Sequence, residues 1–135
     1  MKRLVLVFGV VLLAALLIVL AHLAFIEVGR EVVTLRTRRT DGSWQSTRLW
    51  VVDHDGAVWL HSAGAAWAAR FEGDPEVELE RAGRVRRYRA RIVRGAHADI
   101  DAALREKYGL ADRWVRLISP CDEATLPVRL DPLEP

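Results

Sequence analysis

Residues 4–26 run without formal charge, apart from His22 when protonated. A helix over these 23 residues covers about 34 Å, enough to cross a hydrocarbon layer of about 30 Å. A stretch this apolar divides the chain into an N-terminal transmembrane segment, residues 1–29, and a domain over residues 30–135. Roughly one hundred residues support one small domain with one core. Lys2 and Arg3 give the basic start that a cleaved signal peptide would share. The apolar core, however, exceeds the roughly 7 to 15 residues usual there, and bulky His22 stands where a cleavage site needs a small side chain. The sequence therefore favours an uncleaved anchor. Lys2 and Arg3 argue for an N-terminus inside, whereas Arg30, Arg36, Arg38 and Arg39 argue for the domain inside. The two counts oppose each other and leave the side open.

The domain opens with residues 32–52, two β-rich runs joined by a loop around Asp41-Gly42. In the first, Val33, Leu35 and Thr37 alternate with Thr34, Arg36 and Arg38, a period of two with one cationic face. In the second, residues 45–52, Thr47, Leu49 and Val51 lie opposite Ser46, Arg48 and Trp50. Asp55-Gly56 repeats the turn signal, and residues 58–62 make a third strand of an antiparallel meander. A short helix over 65–71, closed by Gly73 and Asp74-Pro75, is followed by a hairpin of strands 77–80 and 85–93 around Ala82-Gly83. Tyr88, Ala90 and Ile92 are expected to face inward there, and Arg87, Arg89 and Arg91 outward. Ile100, Ala103, Leu104 and Tyr108 fall at helical spacing with Gly109 as the stop. Trp114, Leu117 and Ile118 extend that pattern, expected to pack against the sheet. Residues 126–130, with Pro127, read as a final edge strand, and residues 131–135 as a frayed tail.

The net charge is only +2, yet nearly all basic residues are arginines, concentrated in 36–48 and 81–94. Such blocks suit a phosphate groove or a solvated sheet face. The accompanying Glu and Asp, with tryptophans at core-like positions, argue against nucleic acid. Cys121 is the only cysteine, so no intrachain disulfide forms. His22, His54, His61 and His97 show no close spacing to each other or to Cys121, so sequence spacing supports no metal site. His61, alone on a strand, reads as structural. There is no phosphate-loop lysine, GxSxG or GxGxxG motif, and no catalytic side-chain constellation.

Residues 37–52, followed by Ser62 and by the run 67–79 that begins Trp67-Ala-Ala-Arg-Phe and continues through Asp74, Pro75 and Val77, resemble one family. The chain is similar to the split β-barrel flavin and deazaflavin oxidoreductases, specifically the deazaflavin-dependent nitroreductase branch of the pyridoxamine-phosphate-oxidase-like superfamily. The similarity covers about residues 32–93, with weaker agreement at Lys107-Tyr108-Gly109 and the last strand. It implies a mainly β (α+β) fold, a six-stranded antiparallel split β-barrel with short helices, here preceded by one N-terminal transmembrane helix. It implies FMN or a deazaflavin as cofactor, with phosphate held by Arg39, Gly42, Ser46 and Thr47, the ring bordered by Leu49, Trp50 and Ser62, and Trp67 also among the cofactor-binding residues. Arg48 and Arg70 stand where the family pattern has proline and asparagine, and would supply phosphate charge from new places. Hydride chemistry resides in the flavin itself, so a missing catalytic constellation is compatible with this reading. The resemblance further implies a small lipophilic acceptor, quinone-like or nitroaromatic, a homodimer, and a domain on the cytoplasmic side. The alternative is a non-catalytic tethered barrel that binds a partner or anionic lipid through its arginine face.

Overall fold

The computed structural model describes residues 1–63, 65–122 and 124–133; the side chains of residues 2, 62, 63 and 65–68 lie outside that description. The chain separates into two compact units, residues 1–30 and 31–135. In the first, helix α1 (Lys2–Glu27) runs for 26 residues, about 39 Å. It is long and apolar enough to cross a membrane. The helix ends at Val28 in extended conformation, where Arg30 folds back to donate to the Val28 carbonyl at 3.2 Å and lies 4.8 Å from the Phe25 ring.

The second unit is a closed barrel of six antiparallel strands: β1 (Val32–Arg38), β2 (Trp44–His54), β3 (Ala57–Ala63), β4 (Glu76–Arg81), β5 (Arg84–Ile92) and β6 (Thr125–Pro132). Around the barrel the order is β1-β2-β3-β6-β5-β4, and β4 closes on β1 with Leu35 opposite Leu79. The hairpin turns follow from residue chemistry. Asp55-Gly56 and Ala82-Gly83 both have positive φ at each position, the two-residue geometry whose twist matches that of the flanking strands.

Period-two alternation fills the interior as expected. Val33 and Leu35, Leu49 and Val51, Val58 and Leu60, Val77 and Leu79, Tyr88 and Ala90, Val128 and Leu130 all belong to one cluster. Each strand thus contributes at least a pair, β5 adding Ile92. Helix α2 (Ala65–Gly73) adds Phe71 to that cluster. After a single 3₁₀ turn (Arg94–Ala96), helix α3 (His97–Tyr108) lays Ile100, Leu104 and Tyr108 on Val52 and Trp59, forming a second core on the outer face of the sheet. Trp50 stacks on Tyr108 there, ring centroids 4.4 Å apart. The Tyr108 hydroxyl sits 2.7 Å from the Glu31 carbonyl and accepts from the Val51 N–H at 3.0 Å.

Three expectations need correction. First, β6 is not an edge: it pairs with β3 through His61 opposite Pro127 and with β5 through Ile92 opposite Val128. The Pro127 carbonyl accepts from Val93 N–H, and in a strand a residue's nitrogen points to the same side as its carbonyl. The missing donor therefore faces the point where β5 pairing ends, and no ladder bond to β3 is lost. Second, residues 131–133 are not frayed, because β6 runs through Pro132 and Leu133 N–H donates to the Arg87 carbonyl at 3.1 Å. Third, helix α4 (Leu110–Ile118) does not pack Trp114, Leu117 and Ile118 against the sheet; these side chains, with Leu110, are exposed. The helix is buried through Ala111 and Asp112 instead. Periodicity identifies an amphipathic helix without specifying which face its neighbours cover.

Replacing Tyr108 by phenylalanine removes the acceptor of a buried Val51 N–H, and should lower unfolding free energy by about 1–3 kcal/mol, measured as a lower denaturation midpoint with unchanged slope.

Candidate functional site

The loop between β1 and β2 is fixed by its own polar groups. Asp41 Oδ1 accepts from the Ser43 N–H at 2.8 Å and the Ser43 hydroxyl at 2.6 Å, while Gly42, at φ +84°, donates its N–H to the Arg39 carbonyl. Those bonds hold the Asp41 carboxyl below its ordinary range. The turn projects Arg39 toward Gln45, whose Oε1 accepts from Arg39 Nε at 3.2 Å. Across from it lies the C-terminal half of α2, and together they form a groove of about 570 Å³ lined by Arg39, Thr40, Gln45, Arg70 and Asp74, among others. Arg38, also in the lining, is engaged by Asp74 at 3.5 Å and by the Trp44 ring at 4.7 Å. Arg70 Nη1 is buried with no hydrogen-bond partner among the described residues. A buried guanidinium N–H without an acceptor is costly, and a bound phosphate oxygen would satisfy it.

The expected cofactor residues are only partly brought together. Arg39 and Arg70 converge on the groove, with Gly42 setting the turn. Ser46 and Arg48 are exposed further along β2, paired in register with Arg36 and Thr34. Thr47 stands opposite Leu35, and Leu49 packs against the barrel interior. Trp50 points to the opposite face, against Tyr108, so Leu49 and Trp50 do not share a wall. The side chains of Ser62 and Trp67 lie outside the described residues.

Two constellations escaped the sequence. The first is ionic: Arg81 at the end of β4 forks onto Asp53 at 2.7 and 2.6 Å and onto Glu31 at 2.5 and 3.1 Å, and Lys107 pairs with Glu31. Glu31 precedes β1, Asp53 is on β2 and Lys107 on α3, so one guanidinium ties together elements distant in sequence. Arg81 hydrogen bonds, aided by Lys107, hold both Glu31 and Asp53 carboxyls below their ordinary values.

The second is a cluster of histidine and cysteine that sequence spacing did not bring together. His61 on β3, His97 at the start of α3 and Cys121 before β6 place one ligand atom each within 4.8 Å of one another. The Cys121 sulfur lies 3.7 Å from His61 Nδ1 and 4.0 Å from His97 Nε2. His97 Nδ1 is 3.1 Å from the Thr125 carbonyl, which fixes the proton there. Burial, reinforced by His97, pulls the His61 pKa down to about 4. Burial and the Asp101 carboxylate push the Cys121 thiol up. No short spacing announces the cluster, because β3 and β6 become neighbours only on barrel closure; the sole local signal is His97 four residues before Asp101 on one helix face.

No family model matches the chain, and no curated protein matches it. Among solved structures the chain is similar to the heme storage protein HutZ from Vibrio cholerae, at 16% identity over 82% of this chain and 87% of that one, with a TM-score of 0.62. It is similar to a putative pyridoxamine 5′-phosphate oxidase from Listeria innocua, at 11% identity over 83% and 90%, TM-score 0.59. It is also similar to an FAD-binding protein from Mesorhizobium loti, at 16% identity over 85% and 89%, TM-score 0.54. At such identities the likeness is one of fold, a six-stranded split barrel with short helices.

A carboxyl whose folded pKa is depressed contributes stability that is present above its unfolded pKa and lost as pH falls through the folded value. Glu31 and Asp53, with ordinary values of 4.5 and 3.8, should therefore make the domain lose stability as pH drops below that range. In Arg81→Met this acid-side slope should flatten, as measured by melting temperature against pH.

Proposed function

We propose that this chain is a membrane-anchored oxidoreductase that binds a flavin or deazaflavin at the groove between the β1–β2 loop and α2 and reduces a lipophilic acceptor of quinone or nitroaromatic type. The observation that carries this reading is the buried Arg70 Nη1, without a hydrogen-bond partner among the described residues, in a groove that also receives Arg39. Two guanidinium groups and the Thr40 and Gln45 side chains form a donor set that suits phosphate. The split-barrel fold supports the reading, since its solved neighbours include a protein named for FAD binding and another named as a putative pyridoxamine 5′-phosphate oxidase.

The cofactor supplies hydride transfer when bound, and the chain's own residues bind and orient. Arg39, held by Gln45 at 3.2 Å, presents its terminal nitrogens without paying the full entropy of a free side chain. Arg70 offers a donor already desolvated. Ser46, Thr47 and Arg48 continue the same strand away from the groove. Helix α1, read as an anchor, would concentrate the domain beside lipid-soluble acceptors and leave the soluble unit as a homodimer on the cytoplasmic side.

The non-catalytic reading, in which the arginine face binds anionic lipid, is less well supported. Arg36 pairs with Glu78 at 3.5 Å and Glu80 at 3.8 Å, Arg87 with Glu76 at 2.7 Å, and Arg91 with Asp131 at 3.4 Å. A face so interleaved with carboxylates offers little net attraction to an anionic surface.

The test uses the full chain in detergent. FMN or a deazaflavin should raise its melting temperature, and Arg70→Gln or Arg39→Gln should weaken binding by about tenfold or more. Gln in place of Arg87, Arg89 and Arg91 should leave cofactor affinity unchanged. A colourless purified chain whose melting temperature responds to neither compound sinks the proposal.

A further inference from the structure

The cluster of His61, His97 and Cys121 takes no part in the groove described above, and its donor chemistry is unbalanced. With its proton on Nδ1 toward the Thr125 carbonyl, His97 turns a lone pair on Nε2 toward the Cys121 sulfur. His61 Nδ1 approaches the same sulfur at 3.7 Å. One S–H proton can serve only one of the two ring nitrogens. The other nitrogen of His61, Nε2, is buried with no hydrogen-bond partner among the described residues, so hydrogen bonding satisfies at most one side of this imidazole.

We propose that His61, His97 and Cys121 bind one divalent ion of the zinc type, through two imidazole nitrogens and one thiolate, with a fourth position left for water or an exogenous ligand. The spacing fits. Zinc bonds of about 2.3 Å to sulfur and about 2.0–2.1 Å to nitrogen at a tetrahedral angle set the sulfur–nitrogen separation at about 3.6 Å; the two separations here are 3.7 and 4.0 Å. Mixed nitrogen and sulfur donors favour zinc over calcium or magnesium, which prefer oxygen. The outer shell is in place as well: the Thr125 carbonyl orients His97 at 3.1 Å, the arrangement that fixes a ligating imidazole. The nearby cation Arg116 is offset by Asp101 at 2.6 Å and by Asp112 at 2.9 Å. His97 and Thr125 also line a surface groove of about 360 Å³, with Arg94 and Pro127, which gives an ion an approach from solvent.

The experiment takes the full chain in detergent, reduced and stripped with a chelator, and titrates it with cobalt(II) as a spectroscopic stand-in for zinc. The expected result is a thiolate-to-cobalt charge-transfer band with visible bands of tetrahedral intensity, saturating at one ion per chain and abolished by zinc. In Cys121→Ser the charge-transfer band should vanish. In both Cys121→Ser and His97→Ala, zinc affinity against a chromophoric chelator should fall by about 100-fold or more, with circular dichroism confirming that each variant is folded. Because the cobalt spectrum is read on the wild-type chain, the proposal does not depend on any variant folding. Absence of the charge-transfer band in the wild type, or wild-type zinc affinity in a folded Cys121→Ser chain, overturns it.

Discussion

Closure of the sheet is the constraint on which the structure depends. Six strands close only if β6 takes its place between β3 and β5 while β4 returns to β1, and a closed antiparallel sheet leaves no unpaired ladder. Closure also explains why the interior is so regular. Every strand presents at least two inward side chains to one cluster, and these are aliphatic except for Tyr88, with Thr37 buried beside them. A small barrel has room for side chains and nothing else at its centre, so ligand chemistry is displaced to its mouth and outer face. The arginine groove sits at the loop between β1 and β2. The histidine and cysteine cluster sits where β3 meets β6.

The outer face carries a second organisation, of charge. Strand β4 displays Glu76, Glu78 and Glu80, and the neighbouring strands meet them with Arg36 and Arg87. Such exposed pairs are individually weak, but an alternating pattern lets a chain rich in arginine keep a net charge of only +2. The Arg81 network is different in kind. Its guanidinium is bidentate to two carboxylates and joins β1, β2 and β4, with Lys107 bringing in α3. It works as a clamp where β1 begins, β2 nears its end and β4 ends.

Much of this was legible in the residues. Alternation of Val33, Leu35 and Thr37 with Thr34, Arg36 and Arg38 specifies both strand and face, and Thr37 is indeed buried beside the aliphatics. Asp55-Gly56 and Ala82-Gly83 mark their turns because positive φ favours small or polar residues there. Other features lay beyond local pattern. Pro127 argued for an edge strand because the cost of its missing N–H depends on which neighbour it faces, and that is fixed by where β5 stops. Trp114, Leu117 and Ile118 announced an amphipathic helix but not the direction of its apolar side. In the groove, Arg39 and Arg70 were legible through resemblance alone, whereas the approach of His61 to Cys121 follows from strand order, a property that no window of sequence contains.

The place of β6 in the barrel has a further consequence, in time. Val58 pairs with Leu130 and Ala63 with Thr125, so β3 must wait through more than half of the domain's length for its partner. Meanwhile β1, β2 and β3, then β4 and β5, can form as local hairpins. A chain still emerging from the ribosome therefore passes through a state in which β3 and β5 are both open edges. Along β5, Arg89 and Arg91 alternate with the inward residues, and Arg91 meets its partner Asp131 only when β6 arrives, so like charges on two such edges repel. The arginines that line the finished barrel's exterior thus guard the unfinished one against pairing with its own copies.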